Sequence, residues 1–164
     1  MGEEPVTATL LCAFGSREMP EAGLAALSPE TRQAVRLATR LAVQKWGGHF
    51  TCWPWSSKTR IMGASLGLPV FLAYGCAARG LPVPGALATG KLAENGTIDR
   101  VEYVEAKATL ARNRVLFIPS AAYSEKLRAC IPVGHVDEAW ALWKNCGAGA
   151  RPEYLRTLQI CLED

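Results

Sequence analysis

The sequence lacks the marks of metal, nucleotide and nucleic-acid chemistry. Its six cysteines (Cys12, Cys52, Cys76, Cys130, Cys146 and Cys161) are scattered without a Cys-x-x-Cys pair, and it has only two histidines. Zinc-ligand spacing is therefore absent, and no metal or other cofactor is expected. No Gly-x-x-x-x-Gly-Lys-Ser/Thr segment is present, so the chain carries no nucleotide-binding P-loop of its own. A formal net charge of +3 is too mild to announce a nucleic-acid partner. Long apolar runs are missing as well. Residues 61–78 hold no charge, but Gly63, Gly67, Pro69 and Gly75 interrupt them. Their continuous apolar part falls short of the roughly 20 residues a bilayer needs, so a buried helix is expected rather than membrane contact. The acidic Glu3-Glu4, standing where a secretory signal would be basic and then apolar, leads us to expect no such signal. The cysteines then read as reduced thiols of a cytoplasmic protein. No internal repeat or low-complexity tract is found.

What is present suffices for one globular domain: 164 residues, 49% of them hydrophobic and 20% charged. Strands and helices alternate along it. The β-leaning run 6–14 ends at Gly15-Ser16, and its partner is expected at 49–53, between Gly47-Gly48 and Pro54. Ser28-Pro29 supplies an N-cap with proline at the first helical position, and Ala34, Leu37, Ala38, Leu41 and Ala42 then repeat at helical spacing as far as Trp46. Arg32, Arg36 and Arg40 form a separate stripe that reads as a solvated face. Residues 56–62 form a polar loop leading to Ser65. Pro69, best tolerated in a first turn, sets a second helix from near Ser65 to near Gly80.

Further on, strands are expected at 86–93 and 97–101 around the Asn95-Gly96 hairpin turn. A helix is expected at 102–112 with Val104 and Leu110 inward, then a buried strand at 115–118 and helices at 124–130 and 136–143. Residues 147–164 read as a tail beyond the main domain (1–146), with a short helix at 152–162 whose apolar residues are expected to pack back on that domain in preference to meeting a neighbour. Trp46, Trp53 and Trp55 flank the second strand and read as core or subunit-interface residues.

One constellation carries chemistry. Gly63-Ala64-Ser65-Leu66-Gly67 is followed by Thr89-Gly90-Lys91-Leu92, by Glu94-Asn95-Gly96 and by Lys107. A serine hydroxyl is a weak nucleophile until its proton is taken, and a lysine kept neutral by burial can take it without a histidine. A serine at a helix N-terminus also lies beside backbone N–H groups that can stabilise an oxyanion. Each part alone has a plainer reading: Ser65 as an N-cap, Lys107 as a surface lysine, Thr89 as a turn residue. Their joint order gives them weight. His49 and His135 stand in no such arrangement and read as structural.

The order and spacing of Ser65, Thr89, Gly96 and Lys107 resemble the proteolytic domain of the Lon protease family. The resemblance runs from about Leu27 to Trp143 and takes in Val115-Leu116-Phe117-Ile118-Pro119 and His135-Val136-Asp137-Glu138. It implies an α/β (α+β) fold of the Lon proteolytic-domain type, shared with the second domain of a small-subunit ribosomal protein. It also implies a serine endopeptidase with a Ser65–Lys107 dyad, Thr89 orienting the amine, and Gly63, Ala64 and Gly67 shaping the oxyanion turn. Implied partners are an unfolded polypeptide substrate, an ATPase domain or subunit in cis or in trans, and further copies of the chain, as a hexamer. The chain departs from the family pattern at Met62, where many members have an acidic residue, and at Leu66, where a small residue is usual. It departs again at Lys91, usually Glu, and at Glu102-Tyr103, usually Gly-Gly. The other reading is a degenerate module of the same fold, as in magnesium-chelatase-like proteins and a DNA-repair ATPase, serving assembly or protein binding.

Overall fold

The uncharged stretch around Phe71 becomes the central helix of a mixed α/β fold. The computed structural model describes residues 9–14, 26–55, 60–61, 63–82 and 84–146. In chain order these form β1 (Thr9–Phe14), β2 (Ala26–Leu27), α1 (Pro29–Trp46), β3 (Phe50–Trp55), β4 (Arg60–Ile61) and α2 (Gly67–Arg79). There follow β5 (Leu87–Ala88), β6 (Lys91–Leu92), β7 (Ile98–Asp99), α3 (Val104–Ala111), β8 (Leu116–Pro119), β9 (Ile131–Val133) and α4 (Val136–Trp143). No helix among the described residues is long and apolar enough to cross a membrane.

The helix boundaries follow local chemistry. Ser28 caps α1, its Oγ accepting from Thr31 N at 3.2 Å, and Pro29 takes the first turn. α2 keeps Pro69 in its first turn and ends at Gly80 in the left-handed conformation. Nearly every residue of α2 from Gly67 to Cys76 is buried, because α1, β1, β3 and α4 all pack on it. Trp46 sits among Phe71, Tyr74 and Trp140, with ring centroids 4.9, 6.4 and 4.8 Å away. A second, smaller core lies under α3, where Val104 and Ala111 meet Leu116, Ile118 and Leu127.

β1 and β3 pair antiparallel, as expected, although β3 runs on through Pro54 to Trp55. Their register sets Cys12 opposite Cys52, and Cys52 is disulfide-bonded, so the expectation of uniformly reduced thiols fails there. Cross-strand pairing of distant residues leaves no local spacing to read. β5, β8 and β9 form a parallel sheet with β8 in the middle, and β2 pairs parallel with β4.

Other expectations are corrected. The strand expected at 86–93 is two strands, broken at Thr89-Gly90, because Gly90 bonds to the start of α2 instead of to a strand. The strand at 97–101 shortens to β7, which pairs with β6 across a turn closed by Gly96 at φ +85°. Leu110 is 39% exposed, and Ala111 takes the inward place given to it. The helix expected at 124–130 is instead a single 3-10 turn at Glu125–Leu127, preceded by another at Ser120–Ala122 and followed by the unforeseen β9. Residues 56–59, Met62 and the tail 147–164 lie outside the described residues.

Gly75 is the tightest point of the core. A Cβ there would lie 2.6 Å from both Trp140 Cζ3 and Trp46 Cη2. Alanine would gain up to about 1 kcal/mol of helix propensity. Forcing two packed indoles apart costs about 1–3 kcal/mol and should outweigh that gain. Gly75→Ala should therefore lower the urea midpoint; an unchanged or higher midpoint would show that the tryptophans yield freely.

Candidate active site

Three segments distant in sequence are linked in series from Ser65 through Thr89-Gly90 to Lys107. The first is the turn before α2. Gly63 has φ +88°, a conformation glycine adopts without strain, and its carbonyl accepts from Thr31 Oγ1 at 2.7 Å. Thr31 is wholly buried in the first turn of α1 and also bonds Ser28 Oγ at 2.8 Å, so the cap of one helix anchors the approach to the next. Sequence reasoning missed Thr31; only its place three residues after an N-cap serine hinted at a buried role.

The second segment is the strand break. Gly90 N donates to Ser65 O at 3.1 Å, and Gly90 O accepts from Leu68 N at 3.0 Å. This two-way strap holds Thr89 and Ser65 on neighbouring pieces of backbone. Gly67 must remain small here, since a Cβ would meet Leu92 Cγ at 3.1 Å and Gly90 O at 3.3 Å.

The third is α3. Lys107 Nζ donates to Thr89 Oγ1 at 3.1 Å in a partly buried setting. Burial pushes the Lys107 ammonium below the ordinary lysine value of 10.5, and the charge of Glu102 acts in the opposite sense, raising it. The turn leading into α3 is strained: Tyr103, 54% exposed, sits in the left-handed region at φ 59°, ψ 31°. Its carbonyl accepts from Lys107 N at 3.0 Å.

The structure thus joins Lys107 to Thr89 directly and Thr89 to Ser65 through backbone. No hydrogen bond links Ser65 Oγ to Lys107 Nζ, and among the described residues the Ser65 hydroxyl bonds to nothing. Of Gly63, Ala64 and Gly67, the residues expected to shape an oxyanion turn, only Gly67 has its N–H occupied among the described residues. Gly67 N is taken by Ala64 O at 3.2 Å, Leu68 N by Gly90 O, and Pro69 has no N–H. The amides of Gly63, Ala64, Ser65 and Leu66 make no hydrogen bond among the described residues, so all four remain as unpaired donors in this turn.

Among the described residues, His135, Cys76 and Cys146 do not offer a rival nucleophile or base. His135 caps α4: its Nδ1 accepts from Asp137 N at 3.1 Å, which leaves Nε2 to donate to Asn95 O at 3.0 Å. Both ring nitrogens therefore serve structure, as expected. Burial raises the Cys76 thiol and pushes that of Cys146 up to about 11, which disfavours the reactive thiolate. No cluster of metal-ligating side chains occurs among the described residues. No protein-family model matches the chain, and no curated protein matches it.

The Thr89–Lys107 contact is open to a direct test. Thr89 is 4% exposed, and Thr89→Val keeps its volume while removing the oxygen that Lys107 bonds. A loss of about 1–3 kcal/mol is expected in denaturant titration for Thr89→Val, while Thr89→Ser, which keeps the hydroxyl, should lose less. Equal stability of the Val and Ser variants would show that the hydroxyl contributes nothing.

Proposed function

We propose that this chain is a Lon-like serine endopeptidase domain in which Ser65 is the nucleophile and Lys107 the general base. The observation that carries this reading is the 3.1 Å hydrogen bond from Lys107 Nζ to Thr89 Oγ1. It joins two residues singled out by the family resemblance and holds the amine where burial favours its neutral form. A second observation supports it: Tyr103 has a left-handed backbone, and it stands where the family keeps glycine. A fold of the Lon proteolytic-domain type, a hexameric ring and an associated ATPase belong to the same proposal. Trp46, Trp140 and Trp143 pack in this chain's own core, so ring contacts would fall to other residues.

In this mechanism the neutral Lys107 amine takes the Ser65 proton as Oγ attacks the carbonyl carbon of an unfolded polypeptide. The unpaired amides of the turn from Gly63 to Leu66 receive the developing oxyanion. The ammonium returns its proton to the leaving amine, and water then hydrolyses the acyl-enzyme. The missing Ser65–Lys107 hydrogen bond fits a free enzyme, in which such contacts are commonly long until substrate closes them. The same missing bond also favours the degenerate, protein-binding module, and activity separates the two.

Cleavage of an unfolded casein substrate should fall to background in Ser65→Ala. It should also vanish in Lys107→Arg, since arginine keeps the charge but cannot be deprotonated. The lowered lysine pKa sets the sign of the pH dependence. The neutral amine increases as pH rises, so activity should climb with pH through a midpoint below 10.5. Substantial activity in Lys107→Arg would remove the lysine from the role of base.

A further inference from the structure

Beyond the Ser65 site, we propose that a cleft bordered by the C-terminal half of α3 binds a small organic phosphate, a phosphomonoester on a compact apolar body. The cleft encloses about 340 Å³, at the lower end of the roughly 300–1,000 Å³ usual for small-molecule sites. Its floor includes the buried Leu116 and Leu127, and Arg112, Arg114, Lys126 and a single carboxylate, Glu105, line it.

The charge is uncompensated. None of the three cations takes part in an ion pair among the described residues, where the lysine and arginine pairs are Arg40–Glu94 and Lys45–Asp137. Three positive charges against one negative leave a net of two, which matches a phosphate dianion better than a carboxylate. Arg114 is fixed in place by Nε donating to Gly85 O at 3.1 Å, and its terminal nitrogens remain without a partner. Two guanidiniums present the planar fork that grips phosphate oxygens in pairs.

Arg112 adds a separate observation. It ends α3 at φ 54°, where glycine would sit without strain, yet the residue there is exposed and packs on no core. The strained backbone thus carries a guanidinium to the edge of the cleft. Glu105, Thr109 and Arg112 follow one another at i, i+4 and i+7, a different stripe of α3 from Lys107, whose Nζ goes to Thr89. The cleft is therefore distinct from the Ser65–Thr89–Lys107 cluster, and its role stands or falls independently of peptidase activity.

The test is calorimetry on the full chain at low salt with phenyl phosphate as probe, alongside inorganic phosphate and benzyl alcohol. We expect saturable binding of one phenyl phosphate per chain, and weaker binding by each half of the probe alone. Arg112→Gln and Lys126→Gln should each weaken it by about tenfold, the loss of one charged hydrogen bond. Binding should also decline as pH falls through about 6, where the phosphate regains its second proton. Circular dichroism of the two variants checks that the fold persists; both replace exposed side chains. Absence of binding at millimolar probe, full affinity in the Arg112→Gln/Lys126→Gln double variant, or equal affinity for inorganic phosphate would each overturn the proposal.

Discussion

The two hydrogen bonds between Gly90 and the start of α2 are the constraint on which the rest of the site depends. Gly90 gives its N–H to Ser65 O and its carbonyl to Leu68 N. That diversion ends the pairing of β5 with β8 and separates β5 from β6. The contact needs glycine, since a Cβ at Gly90 would come within 2.8 Å of Ile98 Cγ2 and 3.2 Å of Leu68 Cβ. One backbone residue thus couples the buried helix, the strand break and the hairpin. This strap, together with the bond from Thr89 N to Phe117 O at 3.0 Å, fixes the backbone of Thr89 beside that of Ser65.

Lys107 reads as a balance of two opposing effects. Desolvation disfavours the ammonium, and the negative charge of Glu102 favours it, with desolvation the larger. The buried Thr89 hydroxyl accepts a hydrogen bond from the amine in either protonation state, so it fixes position without choosing the charge. An amine held in place and kept below its ordinary pKa by burial is neutral, and able to accept a proton, over a wider pH range than a lysine in water.

The helices were legible wherever capping chemistry is local. Ser28-Pro29, Pro69 with Gly80, and the segment 136–143 placed α1, α2 and α4 to within a residue or two. The relation of Thr89 to Lys107 was also readable, from the order of residues and the family resemblance. What escaped were features set by distant partners. A β-leaning run at 86–93 cannot reveal that Gly90 will serve a helix, nor can Cys52 announce its disulfide. Leu110 looked inward by hydrophobicity, but the eight-residue α3 turns only a narrow face to its small core, and Val104 and Ala111 fill it. The short strands β2, β4 and β9 are too brief for a periodic pattern to form.

The account turns on whether Ser65 is a nucleophile activated by Lys107. The most direct measurement is labelling of the purified chain with a fluorophosphonate probe, followed by mass spectrometric location of the adduct. A single adduct on Ser65, faster at higher pH and lost in Lys107→Met, is the predicted result. Failure of Ser65 to react under conditions that label a known serine hydrolase, or labelling that persists in Lys107→Met, would contradict it.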